Sequence, residues 1–466
     1  MTGWLKVNKL FFWLALFVLP WQLRHTFLFA EYQGQFFEYA SLSFYLSDIL
    51  IILTLLTGNW GIKKQQFSIG PKIIFWPLTG LILWMWVSTW LSQFSTGNWL
   101  VSVNAVAHFS LFYLFYIYLL NHVKHISEVI VPLIWGSSLQ AIIAIGQYAT
   151  NHSLGLKYLG ESILDPAILG IPVVMINEAR HLRAHGTLPH ANILGGYLAW
   201  VLLWISTWHI LIKKHWRHWL LGGGLILGSL ALLFSFSRAA WLVFGLTSII
   251  LLFGGLYRHR KIDWIDGIVI TIILGVIINQ WPAITSRFNI QNIAIEKESV
   301  VSRLEQIEQF ESIHQKYPLT GIGIGQYVIY LEQNDTKSVG WQYDYSLSGW
   351  TYNLSHQVWD YQPVHNIFLL ILAELGWIGL GLFILWLLGT LWVGMQQLRF
   401  YKDLFNLTAL VAMMGVLALG LFDHYLWTLQ PGRLILFLSI STVAVLYQIN
   451  HNHITYERRT THIGTT

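Results

Sequence analysis

Long apolar runs are the feature that most constrains this chain. An α-helix needs about 20 mostly apolar residues to cross the ~30 Å of hydrocarbon in a bilayer. Only 11% of the residues are charged, and 55% are hydrophobic. A water-facing surface needs more charge than that, so most of the chain must face lipid. The sequence therefore predicts an all-α, polytopic membrane protein with about 12 transmembrane helices, at 9–28, 41–57, 73–93, 99–120, 129–149, 191–212, 218–236, 239–256, 265–281, 365–394, 405–423 and 432–449.

Basic residues give the predicted helices an orientation. Lys and Arg concentrate in the cytoplasmic loops of membrane proteins. With the N-terminus inside, every predicted cytoplasmic segment contains at least one of them, and the pI near 9.1 follows from this rule rather than from nucleic-acid binding. Residues 1–20 resemble a signal peptide but lack a small-residue cleavage site, so we expect an uncleaved first helix. Both termini are therefore expected in the cytoplasm.

Two predicted extracytoplasmic loops are long, and loops of that length usually have a function. The first covers about 151–189, within a membrane region at 1–280. The second covers 281–364, between predicted helices 9 and 10, and precedes the last three helices and a short tail in 365–466. In this large loop, Ser302-x-x-Glu305 predicts a capping box that opens a helix, and Pro318 ends it. The loop is therefore expected to be partly helical.

Two segments of the large loop have an unusual composition. The glycine-rich stretch at 318–326 follows a helix rather than a strand, which argues against a dinucleotide site. It favours close backbone packing over an anion-binding turn. Residues 333–361 are rich in Trp and Tyr, which stack on sugar faces or rest at a membrane interface. The sequence leaves both interpretations of this aromatic segment open.

Charged and polar residues near lipid are costly and mark candidate sites. Arg238 lies between two apolar runs with almost no loop, so it must sit at the outer boundary, facing either lipid phosphates or substrate. Arg303, in the predicted first helical turn, suits phosphate recognition or a surface ion pair with Glu305 or Glu308. His365 opens the tenth helix, where it could accept a hydroxyl proton or simply be hydrogen-bonded.

Other polar positions are less specific. Arg183 and His185 lie just before the sixth predicted helix. They could form a site rich in hydrogen-bond donors, or they could be an ordinary polar cap at the start of that helix. Arg433 ends a polar motif that begins at residue 423 and has no assignable role. Asp48 and Glu374 lie within predicted helices, neither has an obvious partner for a proton relay, and the position of Glu374 near Gly376 favours a role in helix packing.

Absent residues also restrict the chemistry. The chain has no cysteine, which excludes disulfides, thiolate catalysis and cysteine metal sites. It lacks an Asp-x-Asp pair for a metal–nucleotide sugar and a Walker A sequence for ATP hydrolysis.

The chain resembles the superfamily of O-antigen ligases and Wzy-type O-antigen polymerases, which are bacterial membrane glycosyltransferases. Four pieces carry the resemblance through their order, spacing and common side of the membrane. They are Arg183-Ala-His-Gly-Thr with Asn192, Ser237-Arg-Ala-Ala-Trp, Arg303 fifteen residues before Pro318-Leu-Thr-Gly-Ile-Gly, and the segment from His365-Asn-Ile-Phe to Gly379.

The resemblance implies an enzyme of the bacterial inner membrane that works on the outer face without a metal or cofactor. Such enzymes move a glycan from an undecaprenyl-diphosphate carrier to an acceptor hydroxyl. The implied partners are that carrier-linked donor, a lipid- or glycan-linked acceptor and membrane lipids, with no nucleic acid. The implied catalytic residues are His365, Arg238 and Arg303, and the expected substrate-binding residues are Arg183, His185, Asn366 and Arg433.

Several functions stay open at this point. A ligase and a polymerase share architecture and motifs, and a related branch glycosylates Ser or Thr of proteins. A bicarbonate-type transporter needs a polar path through the bundle, which the nearly charge-free helices disfavour. A non-enzymatic role in polysaccharide assembly would leave the outer arginines dispensable.

Overall fold

The computed structural model describes residues 2–32, 35–60, 67–168, 170–176, 179–212, 215–259, 264–286, 293–334, 340–344, 349–353 and 361–463. Helices make up 74% of the structure, which confirms a mostly helical chain. The helices are α1 (Thr2–Phe17), α2 (Leu46–Thr57), α3 (Lys72–Ser95), α4 (Trp99–His122), α5 (Ser127–Thr150), α6 (Ala191–Leu211), α7 (His215–Phe234), α8 (Arg238–His259), α9 (Trp264–Asn279), α10 (Trp281–Ser286), α11 (Ile293–Lys316), α12 (Tyr327–Asn334), α13 (Ile367–Tyr401), α14 (Leu404–Gly420), α15 (Tyr425–Thr428) and α16 (Gln430–Ile463).

Among the described residues, four two-stranded antiparallel sheets that the sequence did not predict lie between the helices, so the label all-α is too strict. They pair β1 with β4, β2 with β3, β5 with β6, and β7 with β8. Their bounds are β1 (Arg24–Leu28), β2 (Glu31–Tyr32), β3 (Gln35–Phe36), β4 (Leu42–Tyr45), β5 (Val173–Ile176), β6 (Ala179–Leu182), β7 (Gly340–Asp344) and β8 (Gly349–Asn353). The β5–β6 hairpin occupies the predicted loop at 151–189. The side chains of the aromatic segment 333–361 lie largely outside the described residues.

Within the described residues, eight helices are long and apolar enough to cross a membrane. They are α3, α4, α5, α6, α7, α8, α13 and α16. The other four predicted spans coincide with shorter helices, namely α1 with 16 residues, α2 with 12, α9 with 16 and α14 with 17. The total of twelve spans stays a prediction.

The first predicted span, at 9–28, is wrong over its second half. Helix α1 ends at Phe17, and the chain from Arg24 to Leu28 forms strand β1. Pro20 lacks a backbone N–H and cannot continue the helix. Arg24 then pairs in register with Tyr45 of β4, so the apolar run continues as a hairpin instead of a helix.

The helix surfaces show which faces meet lipid. On α3, large apolar side chains are exposed at Trp76, Leu83, Trp90 and Phe94, whereas the opposite face buries the smaller Ser88. Large exposed apolar surfaces of this kind mark a membrane or a partner rather than water. Helix α6 is buried on nearly every side and forms the centre of the bundle.

Helix α13 is broken at Gly376, whose φ of 64° is left-handed. The glycine-rich turn enters this break, because Ile322 N donates to Ala373 O at 3.0 Å and Trp377 N donates to Pro318 O at 3.0 Å. A Cβ on Gly376 would lie 2.1 Å from the carbonyl oxygen of Leu319. The expected close backbone packing is therefore present, and it replaces hydrogen bonds that the helix loses at its break.

The helix of the large loop begins earlier than predicted. Helix α11 starts at Ile293, so the proposed capping box at Ser302 is wrong and Arg303 is not in the first turn. Its end at Lys316, before Pro318, agrees with the prediction. Its buried face consists of Gln306, Phe310 and Ile313, whereas Ile307 is 41% exposed.

Candidate functional site

The candidate site lies where several helices begin or end. Helices α6, α8 and α13 start there, and the short connection after α14 adds residues 421–424. A helix start leaves backbone N–H groups unpaired, so polar side chains collect at these positions as caps. Asn366 caps α13 by accepting from Phe368 N at 2.9 Å and Leu369 N at 3.2 Å. Its amide oxygen is thus used within the fold, and its assignment to substrate stays a prediction.

His365 is held by Gln306 of the loop helix. The Nδ1 atom of His365 lies 2.8 Å from Oε1 of Gln306, and the backbone N of His365 lies 3.4 Å from the same oxygen. An amide oxygen can only accept, so Nδ1 must carry the proton. The Nε2 atom is then left with a lone pair, which is the form that a general base requires.

Asp423 lies among three histidines. Burial alone raises the pKa of its carboxyl, but interactions with His424, His365 and His190, and a hydrogen bond from Asn192, outweigh burial and lower that pKa. Burial lowers the pKa of His424 to about 3 and that of His190 to about 4. The histidines are therefore neutral near pH 7, and the carboxylate is ionised.

His365 keeps a low pKa for two reasons. Burial is the larger cause, and the positive charge of Arg303 lowers the pKa further, while Asp423 acts in the opposite direction. Arg303 itself is exposed and, within the described residues, forms no ion pair with Glu305 or Glu308. Two of the three predicted catalytic residues thus influence each other electrostatically.

A hydrogen-bonded chain connects the Arg238 hairpin to Asp423. Arg183 Nε donates to Ser235 O at 2.9 Å, and its Nη2 donates to Asn192 Oδ1 at 2.6 Å. Asn192 Nδ2 then donates to Asp423 Oδ2 at 2.9 Å. Ser235 precedes Arg238, which is half-buried at the first position of α8. Arg183 therefore connects the two parts of the site, and its predicted contact with substrate stays a prediction.

His185 has an unusual environment. The side chain is 2% exposed, and neither ring nitrogen has a hydrogen-bond partner among the described residues. Its ring lies 5.8 Å from that of His190. Burial, assisted by His190 and Arg183, lowers its pKa well below the usual value. His185 is thus a neutral side chain beside the candidate site.

In the part of the chain that the structure describes, one group of side chains is compact enough to hold a metal ion. It consists of His365, Asp423 and His424, whose ligand atoms lie within 4.8 Å of one another. Two histidines and a carboxylate are typical ligands of zinc or iron. His424 Nδ1 lies 2.9 Å from Thr428 Oγ1. The lone pair on Nε2 of His365 and the carboxylate of Asp423 equally suit the proton of a hydroxyl group.

Buried charges beside this cluster have partners that the sequence did not reveal. Asp48 Oδ2 lies 3.1 Å from His108 Nε2, and Arg433 Nη1 lies 3.3 Å from His108 Nδ1. Glu374 accepts from Trp427 Nε1 at 2.9 Å. Asp48 and Glu374, for which the sequence shows no obvious partner for a proton relay, are thus both hydrogen-bonded inside the helix bundle.

Comparison with known families adds a finding that the geometry alone does not supply. Residues 223–384 match the family model described as O-antigen ligase. The resemblance read from the sequence is thereby confirmed. The O-antigen ligase match contains Arg238, Arg303, His365 and Asn366, whereas Arg183, His185 and Arg433 lie outside it. No curated protein matches the chain. The match over residues 223–384 and the apolar helices together support an integral membrane protein that is similar in this segment to O-antigen ligases.

Sequence reasoning missed several residues of this cluster. Gln306 gave no signal, because a glutamine in a charged helix resembles a solvated residue. His190, Asp423 and His424 stood in polar motifs without a role. The only sequence signal that these residues lie close together is that each polar motif is next to the end of a predicted helix.

Proposed function

We propose that the protein transfers a glycan from an undecaprenyl-diphosphate carrier to an acceptor hydroxyl, in the manner of an O-antigen ligase. The observation that carries this proposal is the contact between His365 Nδ1 and Gln306 Oε1. It leaves an unprotonated Nε2 on a histidine within the segment that matches the family. A neutral, oriented imidazole is what the deprotonation of an acceptor hydroxyl requires.

The reaction follows from these groups. His365 Nε2 accepts the proton of the acceptor hydroxyl while the oxygen attacks the anomeric carbon of the donor sugar. The bond between that carbon and the carrier diphosphate breaks, and the lipid diphosphate leaves with the bonding electrons. Asp423 stabilises the imidazolium that forms, because the carboxylate interacts with His365.

Negative charge on the leaving diphosphate is the main electrostatic demand of the reaction. Arg238 and Arg303 would stabilise it, because a guanidinium stays charged at all relevant pH values and can contact two phosphate oxygens at once. The two arginines thereby take the part that a metal ion plays in other glycosyltransferases. Arg183 and Asn192 would hold the Arg238 hairpin against Asp423, consistent with their hydrogen bonds.

A membrane arrangement belongs to the same proposal. The short helices α1, α2, α9 and α14 would complete twelve spans of the bacterial inner membrane, with both termini in the cytoplasm. The loop at 281–364 would then cover the outer face, where carrier-linked glycans are exposed. The basic residues of the predicted cytoplasmic segments support this orientation.

The test uses purified protein in lipid nanodiscs and a fluorescent glycan on undecaprenyl diphosphate, in buffer with EDTA. Products are compared with and without a lipid A–core acceptor. Transfer that depends on the acceptor supports a ligase, and a ladder of longer glycans without it supports a polymerase. A donor that stays intact under both conditions contradicts the proposal.

A further inference from the structure

A polar cavity lies beside the histidine cluster. It has a volume of about 60 Å³ and is lined by residues of the β1–β4 hairpin region, α4, the glycine-rich turn and the α15–α16 connection. At a liquid volume of about 30 Å³ per water, this space holds about two water molecules, so it admits the edge of a sugar ring rather than a whole ring. The polar and aromatic side chains that line the cavity include Glu38, Tyr39, Tyr45, Asn104, His108 and Arg433.

Arg433 is fixed in the wall of this cavity. The side chain is only 7% exposed, and its Nε donates to Trp427 O at 2.6 Å. Its guanidinium lies 5.1 Å from the centre of the Phe109 ring, and Nη1 contacts His108 Nδ1. Within the described residues no hydrogen bond uses its Nη2 atom, and this atom is not one of the buried atoms that lack a partner. Nη2 is therefore accessible from the cavity and can donate to water or to a ligand there.

A chain of hydrogen bonds through His108 and Asp48 fixes the orientation of Arg433. His108 accepts from Arg433 at Nδ1, so its proton lies on Nε2, which donates to Asp48 Oδ2. Asp48 is 0% exposed and also accepts from Gln430 Nε2 at 2.7 Å. None of these hydrogen bonds involves His365, the proposed base. These hydrogen bonds explain how the acidic side chain of Asp48 is accommodated inside the helix bundle.

The charge balance of the cavity favours a neutral ligand. Glu38 is paired with Arg24, whose Nη2 lies 2.7 Å from Glu38 Oε2. Glu374 also lines the cavity and interacts electrostatically with Arg433. An anion would need excess positive charge, whereas a sugar needs both donors and acceptors. The rings of Tyr39 and Tyr45 add the aromatic surface on which sugar faces pack.

The position of the cavity points to the acceptor. The Tyr39 ring packs edge-on against His424 with 5.9 Å between centroids, and His424 packs in the same way against His365 at 5.0 Å. Pro363, two residues before His365, also lines the cavity. A ligand here therefore lies on the side of the proposed base, which is where the attacking hydroxyl must be.

We infer that this cavity binds the hydroxyl-bearing edge of one neutral sugar of the acceptor, with Arg433 and Asn104 as hydrogen-bonding partners. The inference rests on the proposed function, since it assigns the acceptor to one side of that site. It explains the polar motif at 423–433, because Trp427, Gln430 and Arg433 then build the wall of the acceptor cavity.

Asn104 provides the cleanest test, because within the described residues its amide makes no hydrogen bond that a substitution would break. Asn104→Ala removes the amide, and Asn104→Leu fills the cavity with an apolar side chain. Ala107→Leu is the matched control, since residue 107 lies on the same helix but is exposed and outside the cavity. Arg433→Lys retains the charge but loses the planar guanidinium.

The measurement is KM and kcat for the lipid A–core acceptor and, separately, for the carrier-linked donor. Asn104→Leu and Arg433→Lys should raise the acceptor KM about tenfold or more, and Asn104→Ala about fivefold. The donor KM should stay unchanged, and Ala107→Leu should behave as wild type. An unchanged acceptor KM in Asn104→Leu, or an equal rise in the donor KM, overturns the inference.

A binding assay separates this inference from the proposed function. If wild-type protein transfers nothing, the proposed function fails, and calorimetric binding of the core oligosaccharide then decides the cavity. Binding that Asn104→Leu abolishes and Ala107→Leu retains supports the cavity. Binding that is absent from wild type, or is equal in all variants, overturns it.

Discussion

Oε1 of Gln306 lies 2.8 Å from Nδ1 of His365 and 3.4 Å from its backbone nitrogen, although 59 residues separate the two along the chain. One amide oxygen thus receives both donors of the same histidine. The backbone of Gln306 is itself held in place, because its backbone carbonyl oxygen accepts from the Tyr327 hydroxyl at 3.3 Å. The loop helix α11 is therefore part of the site and acts through the orientation of His365.

Replacing Gln306 tests this positioning role. Gln306→Leu should lower kcat about 10- to 100-fold, since a hydrogen bond that becomes charge-assisted in the transition state is worth about 1.5–3 kcal/mol. Gln306→Glu keeps an acceptor at Nδ1, so it should restore much of kcat and raise the pKa of His365. Gln315→Leu, an exposed position on the same helix, is the control. Equal losses in the Leu and Glu variants would indicate a role in folding alone.

The pH dependence of kcat/KM tests the charges around His365. The base must be unprotonated, and its pKa is lowered, so the acid limb should lie below the ordinary histidine value of about 6.5. Arg303 lowers this pKa and Asp423 raises it. Arg303→Gln should therefore move the limb to higher pH, and Asp423→Asn should move it to lower pH. Arg399→Gln, far along α13, should leave the limb in place, and shifts in the same direction for both site variants would refute the assignment.

Arg238 should contribute through the charge of the leaving group. Arg238→Ala should cost about 2–5 kcal/mol of transition-state stabilisation, which is about thirty-fold or more in rate. Arg217→Ala removes an exposed arginine at the opposite end of α7 and should retain full activity. Rates for both variants are compared at saturating acceptor. Near-wild-type turnover in a folded Arg238→Ala protein would remove Arg238 from the mechanism.

The break in α13 should be sensitive to a single methyl group. Gly376→Ala forces a left-handed alanine and places Cβ 2.1 Å from the carbonyl oxygen of Leu319, so it should cost about 2 kcal/mol or more of unfolding free energy. Gly381→Ala lies on the same helix, where a Cβ meets nothing within 4 Å. Thermal unfolding in detergent should show a lower Tm for the first variant only. Equal Tm values would show that the packing of the turn against α13 is dispensable.

The sequence predicted the positions of most helices because lipid imposes a simple requirement on them. Apolar runs must form helices where no water pairs the backbone. This requirement weakens at the membrane boundary, and there the prediction failed. The second half of the apolar run at 9–28 forms strand β1 instead of continuing helix α1. Helix α11 begins before the predicted capping box at Ser302, because a Ser-x-x-Glu pattern also occurs within helices.

The candidate site could be predicted only in part. His365, Arg238 and Arg303 were predicted as site residues because charges near lipid are conspicuous and because the motifs resemble a family, and their catalytic roles stay a prediction. Gln306 and Asp423 were not assigned roles, since each acquires its role only by packing against distant segments. The contact between His108 and Arg433, which joins α4 to α16 across 325 residues, was likewise not predicted from the sequence.

The most direct test of the central claim is the initial rate of glycan transfer by His365→Ala in lipid nanodiscs. The substrates are a glycan on undecaprenyl diphosphate and a lipid A–core acceptor. His125→Ala, an exposed histidine before α5, is measured in parallel as the control. The account predicts that wild type and His125→Ala transfer the glycan and that His365→Ala loses about 100-fold or more in rate. Transfer by folded His365→Ala at the wild-type rate would contradict it.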